Sequence, residues 1–269
     1  MSYYTSLTGL KNAQTDLNVI SHNIANAETN GFKKSNTQFA DIISSSVITD
    51  PSLTVGIGSR VAEIRQNFGV GAIEQTGNAL DLAIGGEGFF TTASPVSGQT
   101  TYTRNGAFSV DGNGFIKNAE GARLQVFPNS GGTVDTSTHQ DAMVPPINAA
   151  GSTLASVTID NEGQVVASYD DGTSANVGTV ALANFTAPTG LKQVGDSSWK
   201  VTGKSGPAAY GAPGSGAFGS INSGSLERSN VDIAEELVDL ISAQRYFQAN
   251  AKAIDTATQI SQTVINLRT

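Results

Sequence analysis

The sequence predicts an α+β protein, an antiparallel β-rich central body flanked by long α-helices at the two ends of the chain. Three observations predict it. Apolar residues recur at spacings of three and four near both termini. The middle of the chain alternates short apolar-polar stretches with glycine turn signals. Glycine is frequent, 30 of 269 residues, while only 14% are charged and none is cysteine. A charged fraction of roughly 25% is usual, and Ser, Thr, Asn and Gly fill the shortfall. Such neutral polar surfaces suit proteins that pack against copies of themselves.

The N-terminal helix is expected over residues 1 to 30. Leu7, Leu10, Ala13, Leu17, Ile20 and Ile24 fall on one stripe, and Asn30-Gly31 supplies a stop. Residues 31–70 are irregular: Phe39 and Ile42-Ile43 are scattered among polar residues and Pro51 interrupts. Gly56-Ile57-Gly58 opens a short alternating stretch, and the segment reads as an extended linker with room for one short strand. Residues 71–229 read as the β-rich core domain, with turns at Gly85-Gly86, Asn105-Gly106, Asp111-Gly112-Asn113-Gly114, Glu120-Gly121, Asn161-Glu162-Gly163 and Asp170-Asp171-Gly172. Segment 203–225 is rich in Gly, Ser and Pro and reads as a loop closing that domain.

A second helix begins at Asn230 or Asp232, either of which can cap, with Glu235 and Glu236 in the first turn where the helix dipole favours negative charge. Ile233, Leu237, Leu240, Gln244, Phe247, Ala251 and Ile254 form a heptad seam, and Ala257, Ile260, Val264 and Leu267 continue beyond it. Residues 1–30 and 230–269 thus form a discontinuous terminal-helix domain. Two helices of this length outreach a compact body, and few charges are available to solvate their outer faces. Coiled-coil-like packing between copies is therefore expected over an intramolecular hairpin. The expected self-assembly residues are Leu7, Leu10, Leu17, Ile20, Ile24, Ile233, Leu237, Leu240, Phe247 and Ile254.

Several function classes are excluded or weak. The net charge of −8 and the lack of any Lys/Arg cluster argue against nucleic acid. No apolar run long enough to span a bilayer is present, so no membrane insertion is expected. The N-terminus lacks the basic and apolar regions of a cleaved secretory signal. Without cysteine there are no disulfides, thiolate metal sites or thiol nucleophiles.

Gly203-Lys204-Ser205 lacks the upstream Gly of a phosphate loop, since position 198 is Ser, and Gly56-Ile57-Gly58 and Gly86-Glu87-Gly88 lack the third Gly of a dinucleotide motif. Asp111-Gly112-Asn113-Gly114 begins like a calcium loop, but Ala122 stands where the bidentate Glu is needed. His22 and His139 have no ligand partners at useful spacing, and Glu235, Glu236 and Asp239 suit the helix dipole and solvation. No catalytic, cofactor or metal residue is expected, and an enzyme is not expected.

The stretch Leu17-Asn-Val-Ile-Ser-His-Asn-Ile-Ala-Asn-Ala-Glu-Thr-Asn-Gly-Phe-Lys-Lys-Ser35 resembles the N-terminal motif of the axial proteins of the bacterial flagellum, the rod and hook family. Glu236-Leu-Val-Asp-Leu-Ile-Ser-Ala-Gln-Arg-Tyr-Phe-Gln-Ala-Asn-Ala-Lys252 is similar to the family's C-terminal motif. Leu80-Asp-Leu-Ala-Ile-Gly-Gly-Glu-Gly-Phe-Phe90 and Tyr102-Thr-Arg-Asn-Gly-Ala-Phe-Ser-Val-Asp-Gly112 resemble the start of its core β domain. Ser2 to Leu10, Phe39-Ala-Asp41, Arg65-Gln-Asn-Phe-Gly69 and Val180 to Leu191 look most like the hook members, whereas the missing outer β domain and the chain length resemble a distal rod protein.

The resemblance implies a structural subunit that polymerises into the hook tube joining rod to filament, transmits torque and encloses an export channel, with a distal rod protein as the alternative. It implies as partners further copies of the chain, neighbouring axial proteins (rod, hook-filament junction and hook cap) and the flagellar type III export apparatus. The location it implies is the basal body and hook, outside the cell after export. A β-rich extracellular adhesin stays open as a different class.

Overall fold

The computed structural model describes residues 2–43, 56–130, 133–134, 136 and 138–266. The chain divides into two compact units, a helical one of Met1–Ala27, Lys34–Asn67 and Val231–Thr269, and a β unit of Glu28–Lys33 and Phe68–Asn230.

In the helical unit α1 spans Ser2–Ala25, β1 Ser35–Ile43, β2 Gly56–Gln66 and α2 Ile233–Asn266. α1 ends short of the Asn30-Gly31 stop because its last turn tightens. Asn26 N–H reaches the carbonyls of both His22 and Asn23, and Ala27 N–H that of Ile24. Asp232 is the cap of α2, its Oδ1 accepting from Ala234 N–H at 2.8 Å and Glu235 N–H at 3.3 Å.

α1 and α2 run antiparallel against each other. Asn23 Nδ2 donates to Glu236 Oε2 at 3.0 Å near one end, and Gly9 lies against Asn250 near the other, where a Cβ would fall 2.5 Å from Asn250 Oδ1. The helical hairpin is thus intramolecular, which corrects the expectation that these seams meet only between copies.

The physical reason lies in residues 31–70. In place of a linker with one strand, the 9-residue β1 and 11-residue β2 pair antiparallel into a ribbon about 36 Å long at roughly 3.3 Å per residue. That is also about the length of the 24-residue α1 at 1.5 Å per residue. The ribbon lies along α1, with Asn12 Nδ2 bonded to Ser59 Oγ at 2.8 Å and Asn23 clasping Ser35 through both backbone polar groups. Register shifts at Gln38/Phe39 and Ile42/Ile43 break the period-two alternation, which is why the segment reads as a linker with room for only a short strand. Pro51 lies outside the described residues.

The β unit is built from antiparallel pairs. Four of the turn signals close hairpins: 111–114 between Ser109–Val110 and Ile116–Lys117, 120–121 between Ile116–Lys117 and Arg123–Phe127, 161–163 between Leu154–Ile159 and Gln164–Tyr169, and 170–172 between Gln164–Tyr169 and Ser174–Val180. Gly85-Gly86 and Asn105-Gly106 instead turn the chain towards other partners. Along Gln164–Tyr169 half-buried and buried side chains alternate strictly, as one covered sheet face requires.

One core gathers Leu82, Ile84, Phe90, Leu124, Val126, Val165 and Ile221, and a second Phe89, Tyr102, Phe185, Leu191 and Trp199. Segment 203–225 is more than a loop. Ala209–Gly211 pairs with Leu182–Asn184, Ser220–Ser223 with Leu82–Gly85, and Ser225–Glu227 with Ile73–Gln75. Each strand carries a single large apolar side chain, Tyr210, Ile221 or Leu226, too few for an alternation to be read.

Candidate assembly surface of the terminal helices

The α1–α2 hairpin sorts the expected interface residues into two groups. Ile20 is buried, and Leu7, Leu10, Leu17 and Ile24 on α1 are half-buried, as are Leu240, Phe247 and Ile254 on α2. The last three share a helix face with Glu236, Ala243 and Asn250, so they belong to the side of α2 turned to α1. Ile233 and Leu237 do not. They stand about half exposed, 45% and 46%, on the flank of that face, and with Ile241 they form a stripe at spacings of four, joined by the more exposed Val238.

A second exposed stretch lies past the end of α1. Residue numbers facing each other across the hairpin add to one sum at both contacts, so Ser2 falls opposite Ala257. Beyond it α2 continues to Asn266 with Ile260 and Ile265 exposed. Leu267 lies outside the described residues.

At the other end of the hairpin is a cleft of about 450 Å³ lined by Asp16, Lys34, Phe39, Glu235, Glu236, Asp239 and Tyr246 among others. Glu236 is not a solvated helix-start acid but a buried one, ion-paired to Lys34 Nζ at 2.9 Å and bonded to Asn23. Glu235 meets the same ammonium at 3.2 Å from an exposed position. Burial opposes the charge on Lys34, but its bonds to Glu236 and Glu235 outweigh that and raise its pKa. Burial pushes the Asp16 carboxyl up from 3.8 against a hydrogen bond with Thr37 that lowers it, and the carboxylates of Asp239 and Glu236 add to the rise.

The β unit has a buried ionic cluster of its own. Lys33 Nζ lies 2.5 Å from Glu227 Oε1, Arg104 Nη1 3.2 Å from Glu227 Oε2, and all three side chains are almost wholly enclosed. Burial lowers the pKa of both Lys33 and Arg104, and Glu227 opposes the shift in each. None of these three was a candidate on sequence grounds. The partners Lys33 and Glu227 are 194 residues apart, and a lone charge reads as solvated until its partner is known.

Other sequence candidates lie in turns or at the surface. Gly203-Lys204-Ser205 forms a turn in which Ser205 Oγ bonds Thr202 O at 2.9 Å, and His139 is exposed beside the Tyr210 ring. Asp111 caps its own hairpin turn through Asn113 and Phe115 N–H. Among the described residues no group of three or more His, Asp or Glu could hold a metal ion, and no helix is long and apolar enough to cross a membrane.

A β-cored chain whose two ends form one helical hairpin, with an apolar stripe left uncovered, has the build of a structural subunit. Residues 4–33 match the family described as flagella basal body rod protein, 83–167 the flagellar hook protein FlgE/F/G D1 domain, and 222–267 the flagellar basal body rod FlgEFG protein C-terminal region. The chain is 34% identical over 278 positions to the flagellar basal-body rod protein FlgG of Bacillus subtilis strain 168, covering 99% of this chain and 98% of that protein. It is 33% identical over 276 positions to FlgG of Caulobacter vibrioides, covering 98% of each. To the flagellar hook protein FlgE of Salmonella typhimurium it is 28% identical over 411 positions, covering all of both. The chain belongs to the flagellar rod and hook axial protein family.

Proposed function

We propose that this chain is the subunit of the distal rod, polymerising with copies of itself and with neighbouring axial proteins into a stiff helical tube that transmits torque around an export channel. One observation carries the rod reading over the hook reading. Alignment with the rod protein of Bacillus subtilis needs 278 positions for a chain of 269, whereas alignment with the hook protein needs 411, about a third of them without a residue here. The hook protein is the second reading, favoured by similarity over the whole of both chains.

In this proposal the exposed stripe of Ile233, Leu237 and Ile241, with Ile260 and Ile265, contacts the next copy, because apolar area of this kind gains from removal from water. Leu7, Leu10, Leu17, Ile20, Ile24, Leu240, Phe247 and Ile254 hold the hairpin that presents it. Passage to the flagellum through the type III export apparatus is part of the same proposal, and no catalysis is ascribed to the chain.

Electron microscopy of concentrated protein is the test. Straight tubes are expected. Curved tubes favour the hook reading, and discrete small oligomers favour an adhesin and overturn the axial one.

A further inference from the structure

The chain enters or leaves the β unit at four places: before Glu28, after Lys33, before Phe68 and after Asn230. Polar contacts inside the unit converge on all four. Lys33 Nζ donates to Gly69 O at 2.7 Å as well as pairing with Glu227, and Asn230 Nδ2 donates to the same carbonyl at 3.2 Å. Gly71 N–H donates to Glu227 Oε1 at 2.9 Å, and Gly31 N–H to the Glu227 carbonyl at 2.8 Å. The Arg228 guanidinium pairs with Glu28 and lies 3.3 Å from Glu74, while Arg228 N–H bonds Ala72 O at 2.8 Å. Arg104 anchors the cluster to the sheet through Gly86 O at 2.9 Å.

We propose that Lys33, Arg104 and Glu227 form a buried ionic clamp that fastens the four chain crossings of the β unit into a single joint. The segment 28–33 needs such a clamp. Of its six residues only Phe32 buries a large apolar side chain, which falls short of the cost of ordering six residues. Its turn is also tightly fixed: Gly31 has φ +69°, and a Cβ there would lie 2.5 Å from Asn105 N. At Gly71 a Cβ would meet Arg228 O at 2.1 Å, so the crossing backbones lie in direct contact.

The cluster carries two cations against one anion in a site closed to water. Ions in such a place are costly unless hydrogen-bonded; here the ammonium donates to Gly69 O and to Glu227, and the carboxylate accepts from Gly71 N–H on one oxygen and from Arg104 on the other. Force carried along the chain between the two units passes through these crossings. The use of the clamp in torque transmission rests on the axial reading; the clamp itself does not.

The test is amide hydrogen exchange on the full-length dissolved subunit, which succeeds or fails independently of whether the chain is a rod protein. Lys33→Met leaves Arg104 and Glu227 as a balanced pair and removes the bonds to Gly69 and Glu227. Exchange at 28–33, 68–72 and 225–230 should rise at least tenfold, while Phe89–Ala93 and Arg123–Phe127 keep wild-type protection. Glu227→Gln keeps the shape and removes the charge, and it should release the same segments. Lys34→Met, next in the chain but outside the cluster, should leave all of them unchanged. Wild-type protection at the crossings in both cluster variants overturns the clamp. So does a uniform loss through the core strands, which would make the triad part of the core and not a joint.

Discussion

Asp16 and Glu236 line one cleft and carry opposite lessons. Glu236 is satisfied by Lys34 and Asn23, whereas the Asp16 carboxylate is disfavoured by burial and by its acidic neighbours. With its folded pKa above the ordinary 3.8, Asp16 holds a proton in the folded state that the unfolded chain gives up. Its contribution to stability is therefore full below 3.8 and lost as pH rises through the raised value. Asp16→Asn should raise the unfolding midpoint of the helical unit at pH 7, with the gain vanishing below pH 3.8; a variant that is destabilised at pH 7 contradicts this reading. At this scale the sequence is least legible. Nothing in the sequence singles out Lys33, Arg104 or Glu227, and Glu236 reads as a solvated helix-start acid, because their burial depends on partners far along the chain.

Elements were more legible, where their periodicity is unbroken. Both helices follow from their apolar stripes, and the cap at Asp232 and four of the hairpin turns follow from local chemistry. Of the β1–β2 ribbon only one short strand is legible, because two register shifts scramble the alternation, and the intramolecular pairing of α1 with α2 escapes with the rest.

That pairing reverses the expected behaviour of two seam residues. Leu237 is exposed in the subunit, so Leu237→Asp should leave its thermal midpoint within about 2 °C of wild type, as surface substitutions usually do. It should still block polymerisation, because a carboxylate buried without a partner costs several kcal/mol in every copy. Phe247 is half-buried on the face turned to α1, so Phe247→Asp should already destabilise the helical unit of the dissolved subunit by about 2–4 kcal/mol. Thermal melts of the two variants beside their polymer yields decide the matter. Normal polymer from Leu237→Asp removes the stripe from the interface.

For the whole molecule, helix, β-rich body and helix could be read from the chain, together with its family. The grouping of residues 34–67 with the helices could not, because it depends on a ribbon hidden by bulges and on the return of 28–33 into the β unit. On the choice between hook and rod the sequence points both ways: Ser2 to Leu10, Phe39-Ala-Asp41, Arg65 to Gly69 and Val180 to Leu191 look most like the hook, whereas the chain length resembles a distal rod protein. The choice turns on what the chain lacks relative to the hook protein. The direct measurement is therefore position: labelling of the epitope-tagged chain in isolated hook–basal bodies, viewed by electron microscopy. Label is expected on the straight rod beneath the hook, at its distal end; label along the curved hook, or none on the axial structure, would contradict the distal-rod reading.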